Sequence, residues 1–394
     1  MLKYLGNNIS FIPVRGGSKS IPLKNIKPML GRPLIYWTLD AAVNSQQIDK
    51  VVVSTDSVLI KNKVEKYGSQ KVLVISRSEA VSTDDASTES VMLEFADIYD
   101  FNNILLLQAT SPLTKTEDID KAIKEIEKSS IESAVSLVRQ KRFIWLENNS
   151  LVEPQNYKIE ARPRRQEFQG FLVENGAIYT TSRKKLLKNK VRISGNIGYI
   201  EMSESTYYEI DEPSDWEIVE RLLKVQLDSS IYKKKQQIKC VLVDCDGVLT
   251  DGGMYYSEFG DEMKKFNTKD AFGLRLLKDA GYVTGIITGE KSDLVKRRAE
   301  KMDVNEVHMG VSDKMQIISE IQEIYNIDLN QIAFVGDDLN DVEVIKHVGL
   351  GIAVNDAVQS VKNASDYITT ASGGSGAVRE LCDLLLSNNH YESV

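Results

Sequence analysis

Two α/β domains in tandem, each a mostly parallel sheet flanked by helices, are the fold that this 394-residue sequence predicts. Three observations carry that expectation. Short apolar runs alternate with amphipathic stretches through the first third. The same alternation restarts near residue 238, and a polar, lysine-rich stretch at 228–237 stands between the two halves. Alternation of this kind implies parallel strands with helices on both faces and ligands at the carboxyl ends of the strands. The expected division is a first domain at 1–228, a linker at 229–237 and a second domain at 238–394.

Strands are read at residues 8–14, 50–54, 71–75, 103–107 and 133–138. Between them Leu34, Trp37, Leu39, Ala41 and Ala42, then Val91, Met92 and Phe95, recur near helical spacing. Residues 141–175 break the pattern, being rich in Arg and Gln with Trp145 and Phe168 expected at the surface. They read as an insertion for substrate contact or for a dimer interface. A strand returns at 177–180 and a helix at 213–225, where Pro213 suits the first turn. In the second half the clearest strands are 238–243, 282–287, 331–335 and 350–354. Trp37, Trp145 and Trp216 read as packing residues rather than stacking platforms for a base.

A formal net charge of −8 argues against nucleic acid as a partner. No apolar run reaches membrane-spanning length, and residues 1–10 show no signal-peptide pattern. Cys240, Cys245 and Cys382 lack metal-ligand spacing and suit a reducing compartment, so a cytoplasmic enzyme is expected. His308, His347 and His390 show neither ligand nor triad spacing and read as bystanders.

The first strand empties into Arg15-Gly16-Gly17-Ser18-Lys19, followed by Lys24-Asn25. Adjacent glycines allow backbone N–H groups to converge on an anion, and Arg15, Lys19 and Lys24 add positive charge. The loop suits a polyphosphate, yet it has neither the P-loop ending nor dinucleotide glycine spacing. Gln108-Ala109-Thr110-Ser111 follows the strand at 103–107, and Asn175-Gly176-Ala177 precedes another. Glu209 and Asp211, two apart on one face of an extended segment, offer hard oxygens for Mg²⁺. Each piece alone is an ordinary turn, cap or solvated pair. Their order is what is informative.

Together with Ser54-Thr55-Asp56 these pieces resemble the acylneuraminate cytidylyltransferases over residues 8–226. The resemblance implies a Rossmann-like nucleotidyltransferase domain in which Arg15, Ser18, Lys24 and Asn25 hold the phosphates and ribose of CTP. It also implies that Gln108 and the Asn175-Gly176-Ala177 turn hold a keto sugar acid, that Asp211 with Glu209 holds the metal, and that Arg77 and Arg165 touch substrate. Arg15 and Lys24 would assist the transfer itself. Three departures stand out: Ser20 where the family has glycine, Leu23 where a basic residue is common, and Glu209 where aspartate is usual.

In the second half, Asp244 and Asp246 stand two apart at a strand's end with Gly247 following, which puts a nucleophile and a proton donor on one side. Thr288 ends the next strand with a hydroxyl, Lys314 supplies a cation at a helix start, and Asp337, Asp338 and Asp341 cluster after another strand. These match the motifs of the haloacid-dehalogenase-like phosphatases. More narrowly, Asp251-Gly252-Gly253-Met254-Tyr255-Tyr256, Phe266-Asn267 and the GGSGAVRE run at 373–380 look like the cap-less 3-deoxy-octulosonate 8-phosphate phosphatase branch, over about residues 238–388.

The resemblance implies that Asp244 attacks phosphorus while Asp246 protonates the leaving alkoxide and later activates water. Thr288 and Lys314 would hold phosphoryl oxygens. Asp244, the Asp246 carbonyl and Asp337 would hold Mg²⁺, with Asp341 and Asp338 in support. The branch closes its pocket with neighbouring subunits, so a homotetramer is implied and Arg379 would serve a neighbour's site. The whole chain then reads as a bifunctional enzyme. One domain removes the 9-phosphate of a nine-carbon keto sugar acid, and the other couples the freed sugar to CMP from CTP. Two alternatives remain open: an inert, assembly-only second domain, and an octulosonate-specific pair.

Overall fold

The computed structural model describes residues 2–83, 86–256, 258 and 262–387; His390 lies outside them. The chain divides into two compact units, Met1–Gln226 and Leu227–Val394, each α/β.

In the first unit, β1 (Asn8–Pro13), α1 (Leu34–Asn44), β2 (Lys50–Thr55), α2 (Val58–Glu65) and β3 (Val72–Ser76) alternate. They are followed by α3 (Thr88–Ile98), β4 (Asn103–Leu107), α4 (Thr116–Ile126) and β5 (Ser133–Gln140). A hairpin of β6 (Trp145–Asn148) and β7 (Leu151–Pro154) precedes the long β8 (Phe171–Ser182). Then come α5 (Arg183–Asn189), β9 (Ile197–Met202) and α6 (Pro213–Lys235), whose last turns, from Leu227, belong to the second unit. The seven-stranded sheet runs β9-β5-β8-β4-β1-β2-β3, parallel except for β8, which is antiparallel to both neighbours.

Strands buried on both faces are apolar at consecutive positions, because successive side chains serve opposite cores. Ile12, Val51, Val53, Leu105 and Leu107 pack on one face, and Ile9, Phe11, Val52, Ile104 and Leu106 on the other. The strands expected from sequence are present with ends shifted by roughly a residue or two, except 177–180, which is the last part of the longer β8. In the insertion, Trp145 is 46% exposed as expected. Phe168 is half-buried, because Phe143 gathers it together with Tyr157 at 5.1 and 4.8 Å between ring centroids.

The stretch expected as a linker is helical as far as Lys235. Lysine is a good helix former, and this turn has tertiary anchors. Ile231 joins the core of the second unit, and the buried Lys235 donates from Nζ to the carbonyls of Leu384 (3.2 Å) and Ser387 (2.9 Å).

The second unit comprises β10 (Cys240–Val243), α7 (Thr268–Asp279), β11 (Val283–Thr288), α8 (Asp293–Met302), β12 (Glu306–Met309) and α9 (Lys314–Tyr325). It continues with β13 (Ile332–Gly336), α10 (Val342–His347), β14 (Leu350–Ala353), α11 (Gln359–Ala364), β15 (Tyr367–Ile368) and α12 (Ala377–Leu386). Its six-stranded sheet, β12-β11-β10-β13-β14-β15, is parallel throughout. Central β10 is wholly buried. No helix among the described residues is long and apolar enough to cross a membrane.

Candidate active sites

The loop after β1 is stitched to the ends of its neighbours. Val14 N donates to Ser54 O (2.9 Å), and Gly16 N donates to Asp56 Oδ1 (2.9 Å), which fastens the loop to the end of β2. Gly16 must be small because a Cβ there would lie 2.9 Å from Ser57 Cβ. Neither Gly16 nor Gly17 has a positive φ; the left-handed residue of the loop is Leu23, at φ 51°. The freedom expected of the glycine pair is thus used for close approach. Ser18 N closes a tight turn on Gly16 O (3.2 Å).

Farther along, Lys24 Nζ donates to Ile210 O (2.5 Å) and lies 3.5 Å from Asp211 Oδ1, while Ser20 Oγ donates to the Asp211 carbonyl. Asn25 Nδ2 donates to Arg15 O (3.2 Å) and is buried, so Asn25 shapes the loop from beneath. Arg77 Nη2 donates to Ser54 O (2.8 Å). Burial pulls the pKa of Arg77 below its ordinary value against Asp56 and Glu94, with Arg15 adding to the drop, so the two arginines are neighbours.

The other motifs arrive at the same place. Ile210 N donates to Thr110 O (3.0 Å), and Gln108 N donates to Ala177 O (3.2 Å). A register irregularity in β8 between Glu174 and Tyr179 frees the Asn175-Gly176 turn. Gly176 sits at φ 67°, and a Cβ there would lie 2.1 Å from Glu209 Oε1. Burial first, then Asp211 and Glu174, raise the pKa of Glu209 against Lys24. Five motifs spread over some 200 residues of sequence therefore meet around one loop.

One expected contact is placed differently, and another stays within the insertion. The side chain of Asn175 is fully buried, accepting from Ser136 Oγ (2.6 Å) and donating to Thr206 Oγ1 (3.0 Å), so it braces the turn from within. Arg165 lies in the insertion, where it lines a basic cavity of about 390 Å³ with Lys141, Arg164 and Gln166.

In the second unit, Asp244 follows β10 and is 5% exposed. Its N–H donates to Val335 O (3.0 Å). Lys314, the first residue of α9, bridges Asp244 Oδ1 (3.0 Å) and Asp341 Oδ1 (2.6 Å). Burial lowers the pKa of Lys314, but Asp244 and Asp341 outweigh it and the net shift is upward. Asp341 Oδ2 accepts from Asp337 N (2.9 Å) and Asp338 N (3.4 Å), which orders the turn after β13. Gly247, at φ 80°, leaves room for Asp337: a Cβ would lie 2.0 Å from Asp337 Oδ2. Gly373 would meet Gly247 O at 1.7 Å if it had a Cβ, and Gly374 N donates to Val248 O (2.9 Å). Thr288, at the end of β11, is 2% exposed and accepts from Glu290 N (3.3 Å).

One carboxylate oxygen each from Asp244, Asp337 and Asp341 lie within 4.8 Å of one another, and among the described residues no other group of three or more such side chains comes as close. Asp337 Oδ1 is buried without a hydrogen-bond partner. Burial, Asp244, Asp341 and Asp338 push the pKa of Asp337 up to about 7 against Lys314; burial likewise raises Asp244. Hard oxygens converging with one acceptor unspent is a donor set that fits a divalent cation such as Mg²⁺.

Sequence reasoning missed two residues here. Lys264 Nζ donates to Asp246 Oδ1 (2.7 Å) and to the Glu290 carboxylate. Glu290 directly follows the Thr288-Gly289 motif, and Lys264 stands two before Phe266-Asn267, so proximity to motifs was the available signal. Arg379 turns its Nε to Asp383 (2.8 Å) on its own helix, and its N–H donates to the buried Asp270 (2.8 Å).

Residues 9–238 match the family model described as cytidylyltransferase, and residues 258–381 match that of haloacid dehalogenase-like hydrolases. The chain is similar to the N-acylneuraminate cytidylyltransferase of Oncorhynchus mykiss, 33% identical over 385 residues that cover 96% of this chain and 88% of that one. The N-acylneuraminate cytidylyltransferase A of Danio rerio is 33% identical over 387 residues, with the same shares covered. The C-terminal part is 39% identical over 160 residues to the 3-deoxy-D-manno-octulosonate 8-phosphate phosphatase of Escherichia coli (strain K12), covering 41% of this chain and 85% of that enzyme.

Proposed function

The chain belongs to the cytidylyltransferase family and carries a second, haloacid dehalogenase-like domain, and from that premise we propose that it performs two consecutive reactions on one keto sugar acid. The second unit hydrolyses a nine-carbon sugar 9-phosphate, and the first couples the freed sugar to CMP. The product of one site being the substrate of the other gives the fusion a chemical reason. The observation that carries this reading is the presence of two assembled sites in one chain: the loop around Lys24 and Asp211, and the Asp244–Lys314–Asp341–Asp337 cluster.

In the first unit Arg15, Ser18 and Lys24 would receive the phosphates of CTP, and Gln108 with the Gly176-Ala177 backbone would orient the sugar so that its anomeric hydroxyl faces the α-phosphorus. Transfer of this kind depends on positioning and charge neutralisation. Asp211 rather than Glu209 would hold the metal, a choice supported by the packing of the Glu209 carboxylate on Gly176.

In the second unit Asp244 would attack phosphorus as the bond to the sugar oxygen breaks, and Asp246 would give that oxygen its proton. Water then adds to the aspartyl-phosphate, its proton passing to Asp246 and Asp244 leaving as carboxylate. Thr288 and Lys314 hold phosphoryl oxygens. Asp244, Asp337 and Asp341 would hold Mg²⁺, with the Asp246 carbonyl; when bound the ion neutralises charge on the phosphoryl group.

The similarity to an octulosonate 8-phosphate phosphatase favours, as a second reading, an eight-carbon substrate for the second unit. The buried free cysteines support a cytoplasmic setting, and the exposed Trp145, Leu146, Leu151 and Val152 of the hairpin support self-association. The deciding experiment is Asp244→Asn assayed beside the wild type for phosphate release from 8- and 9-phosphorylated keto sugar acids and for CMP transfer. Loss of phosphate release with CMP transfer kept is expected. A wild type that releases phosphate from none of them leaves the second unit an assembly module.

A further inference from the structure

Lys264 is placed at unusual cost. Its side chain is shielded from solvent, with its ammonium set between the carboxylates of Asp246, at 2.7 Å, and Glu290. A buried ammonium is expensive to desolvate, and a buried ion pair is weak as a source of stability. The backbone delivers it there deliberately. Thr250, just past the Asp244-Cys245-Asp246 run, bridges Phe266, which draws 264–266 against that loop. Arg298 lies over the Phe266 ring at 5.6 Å and donates to Asn267 O (3.1 Å), fastening the segment from the other side.

We propose that Lys264 is a positioning residue of the hydrolytic centre: by holding Asp246 Oδ1 while anchored to Glu290, it fixes the carboxyl that delivers a proton to the departing sugar oxygen. The inference rests on the phosphatase reading and adds a residue to it. Asp246 is 34% exposed at its side chain and its other hydrogen bond, from Thr250 Oγ1, is long at 3.5 Å, so without Lys264 its carboxyl would sample other rotamers. Misplacing a proton donor by about 1 Å costs on the order of a hundredfold in rate.

The role predicts a dependence on the leaving group. A sugar alkoxide must be protonated as it leaves, whereas p-nitrophenolate leaves unaided, and kcat/KM reports the step in which Asp244 takes the phosphoryl group. Lys264→Met is expected to lower kcat/KM for N-acylneuraminate 9-phosphate about a hundredfold and for p-nitrophenyl phosphate by less than about threefold, with Lys264→Arg between it and wild type on the sugar phosphate. If Lys264→Met melts below the assay temperature, Lys264→Arg carries the comparison, with unequal losses again expected. Equal losses on both substrates, or none on either, overturn the proposal while the phosphatase reading stands. A wild type inactive on both substrates and on 3-deoxy-D-manno-octulosonate 8-phosphate overturns the two together.

Discussion

Gly247 and Asp337 are in such close contact that a single added carbon at Gly247 would stand 2.0 Å from the Asp337 carboxylate. The turn after Asp246 and the turn after β13 are therefore one surface. Gly247→Ala is expected to lower phosphate release about a hundredfold or more by displacing Asp337, with CMP transfer unchanged. Steady-state kinetics of both activities check this, and unaltered phosphate release would mean the turn yields without moving Asp337.

Arg15→Ala is expected to abolish CMP transfer and leave phosphate release near normal. Losing a charge-assisted phosphate contact costs a few kcal/mol, on the order of a hundredfold in rate. Pyrophosphate release from CTP with a saturating sugar measures it. Retained activity would remove Arg15 from the site.

The Gly176–Glu209 approach can be tested by repair. Gly176→Ala, at φ 67° with Glu209 Oε1 2.1 Å from the new carbon, should destabilise the first unit by about 1 kcal/mol or more. Adding Glu209→Ala removes the clash but not the strain, so part of that loss should return. Denaturant melts of both single variants and the double variant give the coupling; strict additivity would show that the two residues do not press on each other.

Mg²⁺ at a hundred times its Kd should raise the melting transition of the second unit by about 5–10 °C, and EDTA should reverse it. Asp337→Ala, which removes the carboxylate bearing the unpartnered oxygen, should erase the shift. Differential scanning calorimetry reads both, and a wild-type melt indifferent to the ion would leave the three aspartates without one.

Assembly is expected to depend on the second unit. Light scattering should give a tetramer for the full chain and a smaller species for a chain ending at Asp228. The same oligomer from both would assign assembly to the first unit.

Much of this was legible because buried parallel strands write themselves as consecutive apolar residues, and their carboxyl ends are where the motifs stand. The convergence of Arg15, Gln108, Gly176 and Asp211 was implied by the family resemblance that their ordered motifs carry. What stayed hidden depends on side-chain direction. Asn175 sits in a motif yet points inward to Ser136 and Thr206. Lys264 belongs to no motif yet reaches Asp246, because a bridge from Thr250 to Phe266 folds it there. The helical continuation to Lys235 was hidden for a related reason: its lysines look solvated until Lys235 finds the carbonyls of Leu384 and Ser387.

The packing of Gly373 and Gly374 on Gly247 and Val248 also sets an order of events during synthesis. The loop bearing Asp244 and Asp246 leaves the ribosome early in its domain, but the glycines that clamp it follow only after all six strands of its sheet. Contacts so distant in sequence form late, since the intervening chain must first close on itself. A nascent chain can therefore hold a finished first unit while the hydrolytic loop is still open. Any message cut short before Gly373 would yield a transferase tethered to an unclosed hydrolase.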